Sequence, residues 1–241
     1  MKISILQKGF NYSQDGPGNR LVYHLCGCNF RCPWCSNPES FSIDGFGKEA
    51  DTGDILNEIK SSELMFFDNG GVTFTGGECT LQFEALRELL IACKENQINT
   101  AIETNGSYPR LKEIFQLIDY LIIDFKHYDN EIHKKVIGFD NTITRENITL
   151  AASLRNQLLI RIPLINGFNA SSEDAIKFAE FLSKINTDSL SVELIRYHEY
   201  GKDKWESCQM EYTVQNGFIA PKQYKEFADI LKKSNINLIN T

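Results

Sequence analysis

Short apolar runs alternate with helical segments about six times along this chain, and the connections between runs are too long for hairpins. Parallel neighbours need a crossover, and strands buried on both faces read as continuous apolar runs, so the pattern restricts the fold to a parallel sheet with helices outside it. Six such units predict an α/β fold built as an open, partial (β/α)6 barrel, short of the closed eightfold form. The predicted strands are 21–26, 71–75, 99–103, 119–125, 157–163 and 188–195, with a short one at 236–239. The predicted helices are 51–61, 81–96, 111–117, 144–156, a segment capped by Ser171 or Ser172 and reaching residue 185, and 221–234, with a helical turn at 131–136 and Thr52 as N-cap of the first. No linker or repeat interrupts residues 1–241, which are expected to form a single domain. The polar stretch 201–217 is expected to be a mobile loop.

Composition excludes several classes. The chain is 42% apolar and 24% charged, ordinary for a globular protein. A net charge of −7 argues against nucleic acid as a partner. No run of apolar residues is long enough for a membrane span, and the start is too soon interrupted for a signal peptide. Seven cysteines with only three clustered fit a reducing, cytoplasmic setting better than a disulfide framework. The chain is expected to act as a monomer.

The three clustered cysteines, Cys28, Cys32 and Cys35, have the spacing C-x3-C-x2-C within a loop at 26–36. Three thiolates suit an inorganic centre with one coordination position left for a ligand. Structural zinc closes with four protein ligands, and a cluster used only for electron transfer takes four cysteines. Zinc with His24 or Cys26 as fourth ligand, or a Cys32–Cys35 redox pair, are the alternatives.

Other polar residues fall at the C-terminal ends of predicted strands, the rim where barrel-like sheets gather their chemistry. They are Gly76, Gly77 and Glu78 after the second strand, Glu103 and Thr104 ending the third, Asp124 and Lys126 at the fourth, Arg161 in the fifth and His198 beyond the sixth. Their chemistry suits an amino-acid-like ligand: Glu78 to accept from an ammonium, Lys126 and Arg161 to bind a carboxylate or a ribose, and Trp34 to stack an adenine. That describes S-adenosylmethionine. Taken singly, each has a plainer reading. The glycines make a turn, Asp124 and Lys126 form a surface pair, His198 is an ordinary exposed histidine, Trp34 packs the loop, and Arg161 needs a partner if buried.

Cys28-x3-Cys32-x2-Cys35 with Trp34 before the third cysteine resembles the radical SAM signature. More narrowly, the chain resembles the glycyl-radical enzyme activating enzymes, and among them the pyruvate formate-lyase type. The matching stretches are Asp15-Gly16-Pro17-Gly18, Gly27-Cys28, Gly76-Gly77-Glu78, Thr104-Asn105-Gly106, Asp124-Phe125-Lys126, Glu131-Ile132-His133, Arg161 and Tyr197-His198-Glu199-x-Gly201-Lys202-x-Lys204-Trp205.

The resemblance implies one [4Fe–4S] cluster held by Cys28, Cys32 and Cys35. S-adenosyl-L-methionine would bind the fourth iron, lined by Trp34 to Ser36, Gly77, Asp124, Phe125 and Lys126, with Arg161 and His198 beside it. Glu103, Thr104 and Asp124 fall where the family binds a monovalent cation, although Glu103 is commonly Asp there. The implied activity is reductive cleavage of S-adenosylmethionine and abstraction of a glycine Cα hydrogen from a partner glycyl-radical enzyme, with flavodoxin or ferredoxin as reductant. His133 and the 201–217 stretch would guide the partner's loop.

No cysteine lies between Cys35 and Cys79, so the ferredoxin-like insert of many activators is missing. Ser36-Asn37-Pro38-Glu39-Ser40 reads more like activators of other glycyl-radical enzymes, which leaves the target open. The alternatives are a radical SAM enzyme acting on a small molecule, as in deazapurine synthesis, and a zinc-stabilised binding module.

Overall fold

The computed structural model describes residues 1–154, 157–185 and 187–240, and they fall into two compact units. The first is Met1–Phe30, Asn37–Thr104 and Tyr108–Ile122; the second is Arg31–Ser36, Asn105–Ser107 and Ile123–Thr241.

The first unit contains strands β1 (Lys2–Tyr12), β2 (Asn19–Leu25), β3 (Lys48–Asp51), β4 (Gly71–Gly76), β5 (Thr100–Thr104) and the first part of β6 (Tyr120–Asp124), with helices α1 (Thr52–Ser61) and α2 (Phe83–Glu95). Its strand order is β3-β1-β2-β4-β5-β6. The β2–β4 and β4–β5 pairs are parallel. Leu21, Val22, Tyr23 and Leu25 of β2 and Val72 and Phe74 of β4 are all buried, as expected of strands covered on both faces. The expected all-parallel sheet is corrected at one edge, where β1 runs antiparallel to both β2 and β3. Asp51, not Thr52, caps α1; its side chain accepts from Gly53 N, and Thr52 begins the helix. The predicted helix 81–96 opens as a 3-10 turn at Cys79–Gln82 before α2, and the segment Leu111–Leu117 is 3-10 throughout.

In the second unit β6 is followed by α3 (Asn130–Ile137), α4 (Thr142–Ser153), β7 (Leu158–Leu164), α5 (Ser172–Leu182), β8 (Leu190–Arg196), α6 (Lys202–Ser207), α7 (Pro221–Lys233) and β9 (Leu238–Ile239). The order is β6-β7-β8-β9, with β7–β8 and β8–β9 parallel. β3 ends the order in the first unit and β9 ends it in the second. Ser171 caps α5 in a reciprocal capping box with Asp174. The helix predicted at 144–156 begins earlier, at Thr142, and its predicted end at Asn156 lies outside the described residues. The stretch 201–217 is not wholly irregular: it contains α6, whose Trp205 is buried. No helix among the described residues is long and apolar enough to cross a membrane.

Candidate active site

In the first unit the chain leaves β2 at Leu25 and enters the cysteine loop. Its first residues are held by backbone bonds: Gly27 N donates to Ser40 O at 2.7 Å, and Glu78 N donates to Gly27 O at 2.7 Å. Gly77 N donates to Leu25 O at 2.9 Å. A Cβ at Gly77 would stand 2.3 Å from Gly27 O, so glycine is required here for close approach of the chain to itself. Glu78 is fully buried, and its Oε1 accepts from Thr104 Oγ1 at 2.6 Å and Thr80 N at 3.1 Å. This carboxylate caps the 3-10 turn and ties it to the end of β5, a role the sequence reading did not assign. Glu103 Oε2 accepts from Thr75 Oγ1 at 3.1 Å.

The second unit holds Cys32, Trp34, Cys35 and Ser36. Cys35 N donates to Cys32 O at 3.1 Å, closing the C-x2-C turn. Burial pushes the Cys32 thiol up to about 12, and the nearby Lys126 charge opposes the shift. Trp34 packs its ring at 4.9 Å from Phe168, a partner not foreseen from the sequence. Lys126 Nζ and Asp124 Oδ2 are 2.8 Å apart and largely shielded from solvent, so they are not a surface pair. The Phe125 ring lies in the core against Phe178 and Phe181, and its N–H donates to Arg161 O at 2.8 Å.

Arg161 is 7% exposed, and its Nε donates to Glu193 Oε2 at 2.9 Å. The partner that a buried arginine needs is therefore Glu193. Parallel register places the two residues opposite each other on β7 and β8. A charged residue at matching offsets in two apolar runs was the available signal. His198, two residues beyond β8, stacks on Tyr200 at 4.3 Å. Its Nδ1 is buried without a hydrogen-bond partner among the described residues, and burial lowers the imidazole pKa. His133 is corrected: it is 1% exposed, with Nδ1 2.6 Å from Phe139 O, and so it belongs to the packing of α3 and cannot touch a partner's loop.

The donor set fits an iron–sulfur centre with a polar organic ligand. The loop sequence offers three soft thiols, and the second unit offers basic groups at Lys126 and Arg161 and an imidazole nitrogen, His198 Nδ1, with no partner among the described residues. Among the described residues no three His, Cys, Asp or Glu side chains are grouped to hold a single metal ion. A cubane makes no such demand, because each cysteine ligates a different iron.

The Radical SAM superfamily model matches residues 22–179. The chain belongs to the radical SAM superfamily. It is 33% identical over 214 residues to the pyruvate formate-lyase 1-activating enzyme of Escherichia coli (strain K12), covering 87% of this chain and 86% of that protein. It is 31% identical over 288 residues to the 4-hydroxyphenylacetate decarboxylase activating enzyme of Clostridioides difficile (strain CD196), covering 92% of this chain and 90% of the relative. A solved domain of a pyruvate-formate lyase-activating enzyme from Bacteroides vulgatus ATCC 8482 superposes with a TM-score of 0.58 at 26% identity, covering 70% of this chain and 98% of that one. The α/β fold with a mostly parallel sheet is thus the family's own, and the family implies a [4Fe–4S] cluster and S-adenosylmethionine.

Proposed function

We propose that this chain is a glycyl-radical enzyme activating enzyme of the pyruvate formate-lyase type, working as one radical SAM domain in the cytoplasm. The observation that carries the reading is 33% identity to such an activator across nearly the whole of both chains. The C. difficile alignment spans 288 residues against a chain of 241, so that relative has insertions which this chain lacks. This favours the shorter, single-cluster type.

Cys28, Cys32 and Cys35 would hold the cluster. The bound cluster would supply the one-electron chemistry of reductive S-adenosylmethionine cleavage, directed at a glycine Cα hydrogen of the partner. Trp34, Ser36, Gly76 and Gly77 would contribute to cofactor binding through backbone and ring. Lys126 and Arg161 supply the positive charge that a carboxylate needs, each restrained by its own acid, Asp124 or Glu193. His198 offers its unsatisfied Nδ1 to a polar group of the cofactor. A flavodoxin or ferredoxin is the reductant, the activator is a monomer, and Glu103, Thr104 and Asp124 are the candidate ligands for a monovalent cation.

The test uses anaerobically reconstituted chain with dithionite and S-adenosylmethionine. It should form 5′-deoxyadenosine and, with its partner, a glycyl-radical doublet in the electron paramagnetic resonance spectrum. Serine at Cys28, Cys32 or Cys35 should abolish both. 5′-Deoxyadenosine without a doublet in any candidate glycyl-radical enzyme would favour a small-molecule substrate instead.

A further inference from the structure

Trp205 is the one buried residue of α6. Its ring packs edge-to-face with that of Tyr212 at a centroid distance of 5.6 Å. Its indole N–H, the only donor that side chain has, reaches Cys35 O at 2.9 Å, across 170 residues of sequence. One turn earlier, Gly201 lies against the same loop. Its backbone, at φ −94° and ψ −2°, is open to any residue. Yet a Cβ there would stand 2.4 Å from Ser36 Cα and 2.5 Å from Ser36 O. The glycine is required by proximity to Ser36 rather than by conformation.

The segment is anchored at its base. Tyr197 N donates to Leu164 O, and the Tyr197 hydroxyl shares a 2.7 Å hydrogen bond with that of Tyr212 and donates to Glu199. A polar and aromatic chain therefore runs from the end of β7 to the carbonyl of the third cysteine.

We propose that Trp205 and Gly201 form a clamp on the Cys35–Ser36 backbone, which makes Trp205 a positioning residue for cluster binding. A cysteine ligand has few rotatable bonds, so the direction of its Cα–Cβ bond decides where sulfur can meet iron. Holding the Cys35 carbonyl fixes that direction and also orients the Ser36 peptide beside it. The role in cluster binding rests on the radical SAM reading above; the clamp itself rests on the two contacts.

Trp205→Phe keeps most of the ring and removes the N–H. One hydrogen bond of about 1 kcal/mol corresponds to a change on the order of fivefold. Hydrogen exchange of the cluster-free chain should therefore speed up about fivefold at residues 35–37, with the remaining amides unchanged. In the reconstituted chain, loss of iron to a chelator should accelerate by a similar factor, and the spectrum of the dithionite-reduced cluster should change. Gly201→Ala should act in the same direction, and it carries the test if Trp205→Phe does not fold. Unchanged exchange at 35–37 in the folded variants, or faster exchange spread evenly over the chain, overturns the clamp. A wild-type chain that takes up no iron overturns the functional reading instead, so the two failures are told apart.

Discussion

Several side chains read from the sequence as ligand contacts have first duties inside the protein. Glu78 is a buried cap, Phe125 is core, and Arg161 is neutralised by Glu193. The sequence named Arg161 and stated its need for a partner, but pairing is a matter of register and became visible only with β7 beside β8. His133 makes the point in energy. Burial pushes its imidazole pKa down to about 4, whereas an unfolded histidine titrates near 6.5. Between those values the unfolded chain takes up a proton that the folded chain refuses. Stability is therefore full above about pH 6.5 and falls as the pH is lowered towards 4, by roughly 3 kcal/mol at 1.36 kcal/mol per pKa unit. Urea midpoints of the cluster-free chain across this window should show the decline, and His133→Gln should flatten it. Superimposable curves for the two proteins would show that this histidine is not the group responsible.

Among the elements, the six strands predicted as continuous apolar runs all form, as β2, β4, β5, β6, β7 and β8. Those that escaped notice, β1 and β3, are largely exposed and rich in polar residues; backbone pairing holds them, and strands with few buried side chains leave no continuous apolar run. Helix α6 escaped for a related reason, being six residues with one apolar anchor. The Asp15-Gly16-Pro17-Gly18 turn was legible as a family feature, but its purpose was not. It lies before β2, at the opposite strand end from the cysteine loop, and Arg20 secures it. That side chain is wholly buried, donating through Nη1 to Pro17 O, through Nε to Thr73 Oγ1 at 2.7 Å and through Nη2 to Val72 O at 2.8 Å. Burial lowers its pKa to about 10 while Asp119 and Asp15 oppose the shift, so it stays charged. The turn is thus structural. Arg20→Met should cost about 3 kcal/mol, seen as a lower urea midpoint at unchanged slope. The folded variant should still bind as much iron per chain as the wild type; reduced iron binding would mean that the turn reaches the site.

At the scale of the whole molecule, the question is how seven cysteines are divided between structure and chemistry. Cys26, Cys79 and Cys93 are buried, and burial raises all three thiols, Cys93 to about 12 and Cys79 well above its ordinary value. A thiol held protonated by its surroundings behaves as a small apolar side chain and is a poor ligand. Cys208 sits half-buried at the end of α6. The Cys32 thiol is raised as well, so burial alone does not separate ligand from filler. What does is the C-x3-C-x2-C spacing of Cys28, Cys32 and Cys35 in the loop that follows β2, a spacing that leaves Cys26 outside the motif. If that criterion holds, the molecule carries one cluster. Anaerobic reconstitution should then give about four irons and four sulfides per chain, as a single cubane requires. Alanine at Cys26, Cys79, Cys93 or Cys208, one at a time, should leave that stoichiometry intact while lowering stability by about 1 kcal/mol at the buried sites, where a small void is left. Iron approaching eight per chain would require a second centre, and iron loss in any of these four variants would place a ligand outside the three-cysteine motif.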